Sequence, residues 1–194
     1  MKRGTAIALT VGSAAAAGAA IYLVTRQRTQ PAPAGTSQLA IASTTLSVIG
    51  TSIVGPAVHA VTGHDVGLAV SVANSGTASA TASVSAEIRL PSGTVEGHFY
   101  AAQGVTAATA AGASRIATVT VPPGAATTAD LYSGPMADSG EIAGYSAASG
   151  LTVVISVLDT DTGQVTTAAI PGAIFLAPPS SSEFAIVSAQ AVAS

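Results

Sequence analysis

From position 66 onward the chain alternates between apolar and small or polar residues. Val66, Leu68, Val70 and Val72 are separated by Gly67, Ala69, Ser71 and Ala73, and a second run sets Val84, Ala86, Ile88 and Leu90 against Ser83, Ser85, Glu87 and Arg89. A period of two over such a length marks strands with one face on a core and the other toward water. Asn74-Ser75-Gly76-Thr77 lies between the runs. Those turn residues predict that the two strands of residues 66–90 fold back on each other as an antiparallel hairpin.

Similar signals recur on both sides. Residues 38–49 read as a first strand, followed by a passage broken by Gly and Pro over 50–63. Short strands are expected around 94–100, 115–121 and 127–132, the second of them ended by Pro122-Pro123-Gly124. Two stretches, 104–113 and 133–150, read as long loops, and Met136, Ile142 and Tyr145 are available to tuck beneath the second. Residues 151–158 are apolar at nearly every position and predict a central strand. The Asp159-Thr160-Asp161-Thr162-Gly163 turn then reverses the chain into 164–170, with 173–176 extending the edge. Seven or more short strands separated by turns predict a mainly β protein, a single antiparallel β-sandwich over 38–178.

The ends differ from this middle. Between Arg3 and Arg26 lie 22 residues without a formal charge, about 33 Å if helical, which is enough to cross a hydrocarbon core of about 30 Å. Residues 1–26 are therefore expected to form one transmembrane or assembly helix. Thr5, Ile7, Leu9 and Val11 would contact lipid at one end, and Ile21, Tyr22, Leu23 and Val24 at the other. Lys2, Arg3, Arg26 and Arg28 would flank the membrane interfaces, while Gly12, Ala14, Ala16 and Gly18 have the small-x-x-x-small spacing that lets helices approach closely.

Two other readings compete for this segment. In one it is a secretory signal cleaved near residues 15–20; in the other, a pilin-type leader led by Lys2-Arg3-Gly4. Cleavage near 15–20 would leave Ile21-Tyr22-Leu23-Val24 close to the new terminus, which favours a retained anchor. Residues 27–37, with Pro31, Pro33 and Gly35, read as a linker. Residues 179–194 read as a second linker followed by a possible edge or exchanged strand. Phe184, Ile186 and Val187 are its candidate pairing residues, because Phe184-Ala185-Ile186-Val187-Ser188 echoes Leu39-Ala40-Ile41-Ala42-Ser43.

Three stretches together, the one around Asn74-Ser75-Gly76-Thr77, the one from Arg115 through Pro122-Pro123-Gly124 to Leu131, and the one from Leu151 to Val165, resemble the Ig-like cell-adhesion-related (CARDB) domains of bacterial and archaeal surface proteins. The resemblance covers roughly 38–176 and implies an immunoglobulin-like sandwich with two inserted loops. It implies a fold more than an activity. The Cys and Trp pattern of antibody domains is absent from the sequence.

Charge narrows the partners. From residue 30 onward two basic residues, Arg89 and Arg115, face all nine acids, a net of −7. A nucleic-acid surface would need clustered Lys and Arg, so that partner is excluded. Only 8% of residues are charged, against roughly 25% in ordinary soluble domains, so the surface is expected to be neutral and rich in hydroxyls. With no Cys, neither a disulfide framework nor a thiolate metal site can form.

His59, His64 and Asp65, with His98 more distant, are the nearest approach to a metal set, yet their spacing fits no single helix or strand face. Asp159-x-Asp161-x-Gly163 has the start of a calcium-loop pattern without its closing Glu, and also suits a hairpin turn. Glu87 and Glu96 are the only candidates for a carboxylate pair, and Glu87 falls on the solvent face of its strand. There is no Gly-x-Ser-x-Gly elbow and no phosphate-binding loop. These features predict no catalysis, no cofactor and no metal.

The expected function is that of a non-enzymatic, membrane-anchored structural protein. It would be a subunit of a virion or cell envelope that displays the β-domain outside and meets lipid and protein partners through its helix and sheet edges. The alternatives are a pilin-like filament subunit and an adhesion or glycan-binding module presenting the two loops, with Tyr132 and Tyr145 as the nearest stacking groups.

Overall fold

The computed structural model describes residues 35–179. The predicted helix of 1–26, with its lipid-facing, packing and flanking residues, lies outside them. So do most of the linker and the proposed pairing residues Phe184, Ile186 and Val187. Among the described residues no helix is long and apolar enough to cross a membrane.

The chain forms β1 (Leu39–Val48), β2 (Val54–Gly55), β3 (Val58–His59), β4 (Asp65–Asn74), β5 (Ala80–Arg89), β6 (Val95–His98), β7 (Ala117–Val121), β8 (Ala126–Pro135), β9 (Leu151–Asp159) and β10 (Val165–Phe175). A four-stranded sheet runs β2-β1-β4-β8. The second runs β3-β10-β9-β5-β6, and β7 also pairs with β5. β6 lies along the Glu87–Arg89 end of β5 and β7 along the Ala80–Val84 end, so the two short strands share one edge. Strands β1, β4 and β8 against β10, β9 and β5 reproduce the immunoglobulin-like arrangement, with β7 joined to the second sheet.

Alternation produces this packing. β5 buries every second residue along its whole length, and β9 does the same up to Val157. Ala82, Val84, Leu68, Val70, Val153 and Ile155, all at most 1% exposed, meet between the sheets. The core is built mainly of Val, Ile, Leu and Ala, with Phe99 its largest fully buried side chain. As expected, β9 is central and its Asp159-to-Gly163 turn joins it antiparallel to β10.

The hairpin expected over 66–90 does not form. β4 pairs with β1 and β8, whereas β5 pairs with β9, β6 and β7. The turn after Asn74 is an arch from one sheet to the other. Period-two alternation tells which face of a strand is buried but not which strand lies beside it, and both partners of a sandwich present the same pattern. Smaller differences concern the loops. β8 continues through Pro135, the 50–63 passage contains β2 and β3, and the 104–113 loop contains a single 3-10 turn at Ala110–Gly112.

The strands define two poles. At one, Ser37, Asn74, Val121 and Asp159 gather where the chain enters β1. At the other, β10 ends beside Leu151 and β3.

Candidate functional site

Both long loops lie at the second pole, away from the end at which β1 begins. The backbone N–H of Gly104 donates to Asp65 Oδ2 at 2.8 Å, and Val105, 7% exposed, is buried beside Gly134. The 133–150 stretch is held there too: Gly63 N donates to Met136 O at 2.9 Å, Met136 N to His64 O at 3.0 Å and Ser139 N to Ala177 O at 2.8 Å. Met136 is buried, and Ile142 and Tyr145 pack on the core, beneath the loop as expected.

Beneath this loop is a cleft of about 150 Å³, with Ile88, Met136, Ile142 and Leu151 as its apolar wall and Glu96 and Ser133 as polar members. Small-molecule sites usually enclose roughly 300–1,000 Å³. The cleft is therefore a recess suited to a side chain, and Ser133 Oγ is already engaged, accepting from Val66 N at 2.9 Å and donating to Gly134 O at 2.6 Å.

The histidines do not converge. His59 is exposed on β3 and stacks on Phe175, with ring centroids 5.2 Å apart. His64 Nδ1 contacts Ile49 O at 2.9 Å. His98 stands opposite Glu87 in the second sheet. Asp65 is spent on Gly104, and among the described residues no three His, Cys, Asp or Glu groups are arranged to hold a metal ion.

The acidic turn is equally committed to the backbone. Asp159 Oδ1 accepts from Asp161 N at 3.0 Å and Thr162 N at 3.3 Å, while Oδ2 accepts from Ser37 Oγ at 2.5 Å. Asp161 Oδ2 accepts from Thr81 N at 2.9 Å. Burial opposes ionisation of Asp159, but the bond from Ser37 and those from Asp161 and Thr162 outweigh it and hold the carboxyl below its ordinary value. The Asp-x-Asp-x-Gly pattern is a clasp between the hairpin, β5 and the start of β1.

Glu87 pairs with Arg89, whose Nη2 donates to Oε2 at 2.5 Å and Nε at 3.0 Å. Glu96 is exposed on the neighbouring β6. Tyr132 and Tyr145 are both half-buried. Tyr132 exchanges backbone hydrogen bonds with Tyr100, and the Tyr145 hydroxyl accepts from Leu176 N at 2.9 Å.

Two features escaped the sequence reading. Asn74 is only 2% exposed and uses its whole amide. Nδ2 donates to Ala78 O at 2.7 Å and Val121 O at 3.0 Å, and Oδ1 accepts from Gly76 N at 2.9 Å and Gln38 N at 3.1 Å. An Asn closing an alternating run, directly ahead of Ser75-Gly76, was the available signal. The other feature is an open edge on β10, whose outer side, among the described residues, pairs only with β3, at Ile174 and Phe175.

No protein-family model matches this chain, and no curated protein matches it. Among solved structures, a calcium-binding mutant of β-glucuronidase 2 from Bacteroides uniformis is 11% identical with a TM-score of 0.43, over 66% of this chain and 12% of that one. A CARDB domain from Pyrococcus furiosus, solved in complex with di-metal ions, is 11% identical with a TM-score of 0.37, over 76% of this chain and 97% of that one. The calcium and the metal ions belong to those proteins.

Proposed function

We propose that this is a non-enzymatic structural protein that displays its β-sandwich from a membrane-held assembly, a virion or a cell envelope, through the N-terminal segment. The observation that carries the reading is polarity. The linker joins the fold at the pole where Gly35 N donates to Thr77 Oγ1, Gln38 N to Asn74 Oδ1 and Ser37 Oγ to Asp159. The two long loops are at the opposite pole. A domain anchored at its N-terminal end would hold those loops outward. The uncharged 22-residue stretch supports a lipid anchor, and the hydrogen bonds at the first pole would spread a pull on the linker across both sheets.

The test is carbonate-washed membrane fractionation of the full chain against the double variant Leu9→Asp/Leu23→Asp, with intact mass measured on both. Retention of the uncleaved parent and release of the variant is the expected result. A parent that is released, or processed to lose residues 1–20, would overturn the anchor.

The place of the 104–113 and 133–150 loops at the pole away from the linker also favours a second reading, an adhesion module. Deleting residues 106–112 would then weaken attachment to cells while leaving the core folded.

A further inference from the structure

We infer that the open edge of β10 receives residues 184–188 of a second copy of this chain as an added strand. Asp159 N donates to Gln164 O, and alternation along the β9–β10 ladder then turns the backbone groups of Val165, Thr167 and Ala169 outward. Among the described residues no strand pairs with β10 over 165–170 on that side. Beyond Ala169 the edge is closed. Pro171 has no N–H to offer, the register shifts between Ile170 and Ile174, and β3 covers Ile174 and Phe175. What is left is five residues, about 17 Å of strand.

The occupant is chosen by sequence and reach. Residues 184–188 are also five long and repeat the apolar pattern of β1 at 39–43, which is itself an outer strand over that stretch. In that register the edge of their own sheet lies at the limit of their reach. Ser139 N holds Ala177 O at 2.8 Å, and Pro179 lies against Gly140, so the chain leaves over the loop pole. From Phe175 back to Ala169 is about 20 Å along β10, whereas Phe184 can be at most about 18 Å from Pro179, and Pro179 is four residues beyond Phe175. A second copy removes that limit. Low charge on both partners, with Glu183 the only ionised side chain nearby in the segment, leaves no repulsion to oppose pairing. The exchange is independent of whether residues 4–25 enter a membrane.

The chain has no cysteine, so engineered thiols report contacts without background. Full-length Thr167→Cys and full-length Ile186→Cys, each checked for a parental thermal transition, are mixed and oxidised, and the Thr167→Cys/Ile186→Cys double variant is oxidised separately at high dilution. The expected result is a mixed two-chain disulfide as the main product, strongly reduced when pairing along residues 165–169 is blocked by Ala169→Pro, and a double variant that stays largely reduced when diluted. An intrachain disulfide in the dilute double variant, or no mixed disulfide at a concentration where the parent self-associates, would overturn the proposal. So would a parent that remains monomeric by native mass spectrometry in detergent.

Discussion

Ser37 and Asp159 are 122 residues apart in sequence, yet the Ser37 hydroxyl donates to the Asp159 carboxylate at 2.5 Å inside the fold. Together with the backbone bonds from Asp161 and Thr162, this fastens the start of β1 to the β9–β10 turn. The first pole of the sandwich is therefore held by an ionised group.

That bond predicts an acid limb of stability. The folded carboxyl of Asp159 lies below the ordinary value of 3.8, so its contribution is complete above the unfolded value and is lost as pH falls through the lowered folded one. Urea midpoints measured from about pH 6 down to about pH 2 should fall through the acid end for the parent. Asp159→Asn should be less stable near neutrality and show a flatter acid limb. An identical acid slope in both proteins would assign the limb to other carboxylates.

Asn74→Ala removes four hydrogen bonds at one buried position and leaves Ala78 O, Val121 O, Gly76 N and Gln38 N without that partner. Orphaned buried groups cost more than the bonds themselves are worth, so a loss of about 2–4 kcal/mol is expected. Asn74→Asp keeps the acceptor for Gln38 and Gly76 and loses both donations, so it should be comparably destabilised near neutral pH. Equilibrium denaturation checks both, and a loss below about 1 kcal/mol for Asn74→Ala would show that water replaces the amide.

Gly76→Ala should act on the same pole by a different route. A Cβ there would collide with Thr36 O and come within 2.7 Å of Ser37 Cα and 2.8 Å of Gln38 N. The start of β1 must move, at a cost of about 1–3 kcal/mol, and amide exchange at Gln38 should speed up. Gly163→Ala is the contrast. Nothing lies within 4 Å of its Cβ, but its φ is +72°, so strain of about 1–2 kcal/mol is expected without loosening of β1.

These residues show what was legible in the sequence. The strand faces of β5 and β9 could be read from alternation because burial acts residue by residue. The partner of β5 could not, since Asn74-Ser75-Gly76-Thr77 has the composition of a hairpin and serves as an arch between sheets. Asp159 and Asp161 were visible as turn formers. The Ser37 contact was not, because it depends on where the first strand begins in space. The β10 edge was likewise hidden, as Pro171 marks a blunted edge only once β9 is known to lie on the other side.

Arg89→Ala tests whether a short distance means a strong interaction. Arg89 and Glu87 approach to 2.5 Å, but the two side chains are 37% and 35% exposed. Water and salt screen such a pair, and fixing the arginine opposes it, so its removal should cost no more than about 1 kcal/mol. Ile155→Ala, at a position with no exposed surface on β9, should cost about 2–5 kcal/mol through lost burial and the cavity it leaves. Denaturant midpoints of the two variants, measured in low and in high salt, decide the matter. The arginine variant should approach the parent as salt rises and the isoleucine variant should not. A larger loss at Arg89 than at Ile155 would mean that the outer face of the second sheet, rather than the core, dominates stability.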